Sequence, residues 1–264
     1  MNTKDINNIK LFLMDMDGTV YLGDRLIEGA FETLETLRKK GINICFFTNN
    51  SSNSHKAYIK KLAKMGFTIN DREIMTSGQV TAEYILREHK GKKVFLVGTD
   101  ALYDEMKSYG VPLSYDDADI VVIGFDTTLT YDRLYRACRY LLEGKFYIAT
   151  HPDFVCPAPL GDMPDVGSFI MMIEGATGRK PDIICGKPYE MSALSVEKRF
   201  NLKADEIAMV GDRLYTDIKF GINNGFMSIL VLTGESDREM LARSGLKPDL
   251  VLDTFKDVLK LINK

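Results

Sequence analysis

The chain has 264 residues, 45% of them hydrophobic and 27% charged, enough for one large domain or two smaller ones, each with its own core. Lys plus Arg number 34 against 37 for Asp plus Glu, and a formal charge of −3 points away from nucleic acid polymers and anionic membranes as main partners. Cys45, Cys138, Cys156 and Cys185 form no CxxC pair, and neither a signal-peptide core nor a membrane-length apolar run stands out, so the expectation is a cytoplasmic protein with free thiols.

The first strong signal is the apolar run Leu11-Phe12-Leu13-Met14, which ends in Asp15-Met16-Asp17-Gly18-Thr19. Such a run reads as a strand buried on both faces, as in a parallel sheet, with two acids delivered to its C-terminal end. Gly18 then permits a sharp turn that can aim Asp15 and Asp17 differently. From Glu28 to Lys40 the spacing of Phe31, Leu34 and Leu37 predicts a helix closed by Gly41. A second strand, Ile42 to Thr48, ends in Thr48-Asn49-Asn50-Ser51-Ser52. That cluster can cap a helix over about Ser54 to Met65, or offer hydroxyl and backbone N–H groups to an anion.

From about Gln79 to Pro181 a separate alternation follows, with strands at Val94–Val97, Ile120–Gly124 and Phe146–Thr150 and helices near Tyr103–Ser108 and Tyr131–Leu142. Thr150-His151-Pro152-Asp153 and the stretch Gly161 to Ser168 read as loops. Gly186-Lys187-Pro188 precedes a further helix, since Pro suits a helix start. Glu206–Val210 is another short strand, ending in Gly211-Asp212-Arg213, and a helix containing Thr216 and Asp217 follows. Strands at Met227–Leu232 and Asp249–Leu252 and helices near Asp237–Arg243 and Phe255–Ile262 complete the chain. The fold class is therefore α/β: a doubly wound parallel-sheet core over 1–80 and 181–264, with an inserted α/β domain over 81–180.

Four strand-end or loop clusters need one explanation: Asp15/Asp17, Thr48/Asn49, Lys187, and Asp212/Asp217. Phosphoryl transfer through an aspartyl phosphate asks for these residue types. It needs a carboxylate nucleophile, a second carboxylate to pass a proton, cationic and hydroxyl donors, and Mg²⁺ to offset the repulsion between carboxylate and phosphate.

Asp15-x-Asp17-Gly18-Thr19, Thr48 at the end of a second strand, Lys187 before a helix and Gly211-Asp212-Arg213-x-x-Thr216-Asp217 resemble the four motifs of the haloacid dehalogenase superfamily. Asp17 points to its phosphatases, because the dehalogenases lack the matching acid. The long insertion and the run Ala176-Thr177-Gly178-Arg179-Lys180-Pro181 resemble the NagD-like, p-nitrophenylphosphatase subgroup with its large α/β cap. The resemblance implies Asp15 as nucleophile and Asp17 as general acid/base. It implies Mg²⁺ held by Asp15, Asp212 and the backbone carbonyl of Asp17, with Asp217 orienting the metal's waters. Thr48 and Lys187 would bind the phosphoryl group, while Asn49 and Gly18 shape the loop around it.

The same resemblance places specificity in the cap, where His151, Asp153 and Asp165 are the candidates. The subgroup usually reads Thr-Asn-x-Asp and Pro-Gly-x-Gly-Ser at these places, so His151 and Asp165 are departures. The implied reaction is Mg²⁺-dependent hydrolysis of small phosphomonoesters, whether nucleotide, sugar or polyol phosphates, with p-nitrophenyl phosphate as a generic substrate. The implied macromolecular partner is a second copy of the chain, in a homodimer through the cap. Two rivals stand beside it: a phosphotransferase or phosphomutase on the same core, and a receiver-like module that stores rather than releases phosphate.

Overall fold

The computed structural model describes residues 4–158 and 160–262. In chain order its strands are β1 (Leu11–Met14), β2 (Tyr21–Leu22), β3 (Arg25–Leu26), β4 (Asn43–Thr48), β5 (Ile74–Thr76), β6 (Val94–Val97), β7 (Ile120–Ile123), β8 (Phe146–Ala149), β9 (Val155–Cys156), β10 (Met163–Pro164), β11 (Ile183–Ile184), β12 (Ile207–Gly211), β13 (Met227–Val231) and β14 (Leu250–Leu252). The α-helices are α1 (Ala30–Lys39), α2 (His55–Lys64), α3 (Ser77–Glu88), α4 (Asp100–Ser108), α5 (Tyr131–Leu142), α6 (Val166–Thr177), α7 (Glu190–Phe200), α8 (Lys219–Asn223) and α9 (Arg238–Ser244). The chain divides into two compact units, one running through Thr48, Ile59–Met75 and from Pro188 onward, the other comprising Asn49–Tyr58 and Thr76–Lys187.

The first unit is built on a six-stranded sheet in the order β14-β13-β12-β1-β4-β5. β1 pairs in parallel with both β12 and β4, Met14 lying opposite Val210 and Phe46. All four β1 side chains are fully buried, so both faces of this strand are covered, as the apolar run requires. The strand order reverses at β1, since later strands go to either side of it. In an open α/β sheet a crevice forms at that switch point, beyond the carboxyl ends of the strands.

Several elements differ from the sequence expectation. The helix foreseen from Glu28 begins at Ala30, because Gly29 adopts φ 79 and the chain only then enters the helical region. The segment foreseen as a helix over Phe255–Ile262 is a 3₁₀ turn over Phe255–Lys260, set by the Thr254/Asp257 capping box. The helix around Thr216 and Asp217 opens with a π turn over Leu214–Ile218, in which Ile218 N–H donates to the Arg213 carbonyl five residues back. Insertions of this kind occur mostly at functional sites.

The second unit carries a four-stranded parallel sheet in the order β11-β8-β7-β6 and a β9–β10 hairpin. Phe95, Val121, Phe125, Tyr147 and Phe169 are among its core residues. Two of its helices were absent from the sequence reading. α3 follows a Thr76/Gln79 capping box, and Gly78 in its first turn blurs the periodicity. α6 begins at Val166, which corrects the expected loop from Gly161 to Ser168. Its residues are apolar with little polar alternation, so no 3.6-residue period marks it.

The four cysteines are thiols, none joined in a disulfide. Burial pushes the Cys45 and Cys185 thiols up to about 12. Among the described residues no helix is long and apolar enough to cross a membrane.

Candidate active site

Asp15 is the first residue beyond β1, and its backbone N–H still bonds the Val210 carbonyl at 2.9 Å, which holds it in line with β12. The chain then turns tightly: Val20 N–H donates to the Met16 carbonyl at 2.9 Å and Gly18 N–H to the Tyr21 carbonyl at 2.8 Å. Gly18 sits at φ +84, and a Cβ there would lie 2.3 Å from Asp212 Oδ2. Glycine is thus required twice over, for the backbone and for the neighbouring carboxylate. Thr48 ends β4, which pairs directly with β1, and is buried.

Asp212 follows Gly211 at the end of β12 and is 2% exposed. Glu235 N–H donates to its Oδ2 at 2.7 Å, and the buried Thr19 hydroxyl reaches its Oδ1 at 3.4 Å. The Thr233 hydroxyl donates to the Gly18 carbonyl at 2.6 Å, tying the end of β13 to the turn after β1. The π turn brings Asp217, fully buried, back onto Gly211, where a Cβ would meet its carboxylate at 2.3 Å. Arg213 N–H donates to Asp217 Oδ2 at 3.2 Å, and the Arg213 guanidinium pairs with Glu235 at 3.1 Å.

These elements bring one carboxylate oxygen from each of Asp15, Asp212 and Asp217 within 4.8 Å of one another. Burial, and then the charge of Asp15, push the Asp212 carboxyl up to about 6. Three acids crowded in this way, offering only oxygen, fit a hard divalent cation such as Mg²⁺, which would offset the repulsion. Asp17 keeps a more open position. Partial burial raises its carboxyl above the usual range, the Lys61 cation opposes this, and the Asp15 charge adds to it. Lys61 itself rests its Nζ 4.0 Å above the Tyr21 ring.

Lys187, Asn49, His151, Asp153 and Asp165 belong to the second unit and meet there. Asn49 Oδ1 accepts from Lys187 N–H at 2.9 Å, and its Nδ2 donates to the Lys187 carbonyl at 3.0 Å and to both Asp153 carboxylate oxygens at 3.2 Å. His151 is wholly buried, and its Nε2 lies 2.9 Å from Asp165 Oδ1. The two departures from the subgroup pattern therefore contact each other. Asp165 also caps α6, accepting from Val166 N–H at 2.6 Å. Of the three candidates for specificity, none is more than 5% exposed.

The sequence reading did not single out Lys61, Gly234, Glu235 or Ser77. A Cβ on Gly234 would stand 2.0 Å from Asp212 Oδ2, so this glycine makes room for the carboxylate as Gly18 does. A signal for it was available: Thr233-Gly234-Glu235 follows an apolar strand just as the other site segments do.

A family model described as haloacid dehalogenase-like hydrolase matches residues 12–112, and a HAD-hydrolase-like model matches residues 184–258. The sugar-phosphatase AraL of Bacillus subtilis is 36% identical over 251 residues, covering 94% of this chain and 92% of that protein. The 5'-nucleotidase YutF of the same organism is 31% identical over 253 residues, covering 96% and 98%. Among solved structures, the 4-nitrophenylphosphatase of Thermotoga maritima superposes with a TM-score of 0.94 at 47% identity, covering 97% of this chain and 98% of that one. NagD of E. coli K-12 gives a TM-score of 0.86 at 29% identity, covering 93% and 96%.

Proposed function

The chain belongs to the haloacid dehalogenase-like hydrolases, as a phosphomonoester phosphatase of their NagD/p-nitrophenylphosphatase subgroup, and from this premise we propose that it is a Mg²⁺-dependent enzyme working through an aspartyl phosphate on Asp15. The observation that carries this reading is the convergence of Asp15 and Asp212, at the ends of the neighbouring parallel strands β1 and β12, with Asp217 from the π turn that follows β12, and with Asp17 two residues beyond Asp15.

Asp15 carboxylate attacks phosphorus, the ester oxygen departs, and Asp17 gives it a proton. Asp17 then takes a proton from water, which attacks the phosphoryl group, releases inorganic phosphate and restores the Asp15 carboxylate. The raised proton affinity of Asp17, produced by partial burial, suits it to hold the proton that the leaving oxygen takes. Asp15, Asp212 and the Asp17 carbonyl would hold Mg²⁺, with Asp217 beside them, and the ion would supply positive charge that offsets the repulsion between carboxylate and phosphate. Thr48 and Lys187 are assigned to the phosphoryl oxygens on their places in the motif order. Residues 81–180 are assigned the role of a substrate-selecting cap.

Sugar phosphates, nucleoside monophosphates and p-nitrophenyl phosphate are the proposed substrates, because relatives named for each class match nearly the whole chain. The test is inorganic phosphate release from a panel of these esters, with Mg²⁺ and with a chelator. Release that needs Mg²⁺ and vanishes in Asp15→Asn supports the reading. Transfer to an added alcohol in preference to water would replace it with the phosphotransferase alternative.

A further inference from the structure

The proposed chemistry gives no part to the buried ion pair of the second unit. His151 Nε2 faces Asp165 Oδ1 at 2.9 Å, while Nδ1 lies 2.9 Å from Thr150 Oγ1 and 3.4 Å from Ser77 Oγ. The Ser77 hydroxyl donates its only proton to the Asn49 carbonyl, so toward the ring its oxygen can only accept. Thr150 Oγ1 lies 3.0 Å from Ser51 Oγ, and either hydroxyl can be the donor, so Thr150 is able to accept from the ring when it gives its own proton to Ser51. Nε2 thus faces a carboxylate and Nδ1 faces the accepting Ser77 oxygen and a hydroxyl able to accept, an environment that accommodates the imidazolium form.

Charge balance agrees. Charged groups facing His151 include Asp165 at the start of α6, Asp153 on its own loop and Lys187 on the turn after β11. All three are at most 5% exposed. Counting these three groups with the ring, a neutral imidazole leaves one net negative charge and an imidazolium leaves none. Burial of the ring works against the proton, but the Asp165 charge and hydrogen bond and the Asp153 charge override it, and His151 titrates above its ordinary value.

The pair also supports the lysine turn. A Cβ on Gly186 would lie 2.6 Å from His151 Cβ and 2.8 Å from Asn49 Oδ1, so the Gly186-Lys187 backbone packs directly on the histidine. Asn49 brackets the Lys187 backbone through its N–H and its carbonyl and extends to Asp153.

We propose that His151, held as an imidazolium by Asp165, is the positioning residue for Lys187, so that loss of a buried proton 36 positions from the lysine weakens phosphoryl binding. The role of Lys187 in this proposal rests on the phosphatase reading. When His151 loses its proton, the Asp165 charge is left without the imidazolium that balanced it, and the added negative charge near the Lys187 ammonium competes with the phosphoryl group for it. KM then rises on the alkaline side.

The test combines two readouts on the full-length protein. NMR of ¹⁵N-histidine-labelled protein follows the three histidines, His151 being assigned by its loss in His151→Asn. Asp165→Asn keeps an α6 cap of equal quality but removes the charge. The expected result is a His151 value above 6.5 in the parent protein that falls by about one pH unit or more in Asp165→Asn. The alkaline rise in KM for p-nitrophenyl phosphate should coincide with the His151 value, move down with it in Asp165→Asn and disappear in His151→Asn. A neutral ring at pH 6.5, or a His151 value unchanged in Asp165→Asn, overturns the pair whatever the activity. A KM profile that ignores the shift overturns the positioning role. A protein without hydrolytic activity whose His151 behaves as expected overturns the phosphatase reading instead.

Discussion

Replacing Asp212 by Asn should stabilise the metal-free protein at neutral pH while abolishing turnover. Asp212 is 2% exposed, and burial together with the nearby Asp15 charge raises its carboxyl from 3.8 to about 6. At about 1.4 kcal/mol per pH unit, holding it ionised in the fold costs about 3 kcal/mol. The sign follows from the direction of the shift. A group that binds its proton more tightly in the folded state favours folding below its unfolded value, and this contribution is lost as pH rises through about 6. Asn has the same shape, can accept from Glu235 N–H as Asp212 Oδ2 does at 2.7 Å, and can donate toward the Asp15 and Asp217 carboxylates. Chemical denaturation in chelator at neutral pH should show the variant more stable by about 2–3 kcal/mol, with Tm higher by about 5–10 °C. At pH values below 3.8 the gain should vanish. Mg²⁺ should stabilise the parent protein and leave the variant unchanged. A variant less stable than the parent at neutral pH, or a difference independent of pH, would refute the reasoning.

Gly234→Ala should cut kcat by about 10²-fold and weaken the response to Mg²⁺, because its Cβ must displace the Asp212 carboxylate from 2.0 Å; unchanged kinetics in a Mg²⁺ titration would show that the carboxylate has room to move. Asp17→Asn should cost about 10²–10⁴-fold on sugar phosphates and far less on p-nitrophenyl phosphate, whose phenolate departs without a proton; equal losses on both would remove Asp17 from the acid role. Native protein should expose no more than two thiols to a thiol reagent near neutral pH, since Cys45 and Cys185 are buried and pushed up to about 12, and unfolding should release all four.

Much of the core was legible in the chain because parallel strands buried on both faces leave continuous apolar runs. Leu11–Met14 and Asn43–Thr48 declare themselves in this way, and their polar ends mark the crevice. Asp15 and Asp212 stood out by the same logic, as each sits where a strand run breaks off, while Asp217 is carried to them by the π turn after β12. Gly234 was missed because its contribution is the side chain it lacks, which acquires meaning only against Asp212 in three dimensions. α6 was missed because helix periodicity needs polar residues to alternate with apolar ones, and Val166–Thr177 has few. The partner of His151 was hidden for another reason: Asp165 lies in a separate loop, and only the capping geometry of α6 turns its carboxylate toward the ring.

The most direct test of the central claim is acid quench of the protein during turnover of p-nitrophenyl phosphate with Mg²⁺, followed by peptide mass spectrometry. The account expects a gain of one HPO₃ on Asp15, absent from Asp17, lost when substrate is exhausted and never formed in Asp15→Asn. Phosphoryl found on any other side chain, or sustained phosphate release by Asp15→Asn, would contradict it.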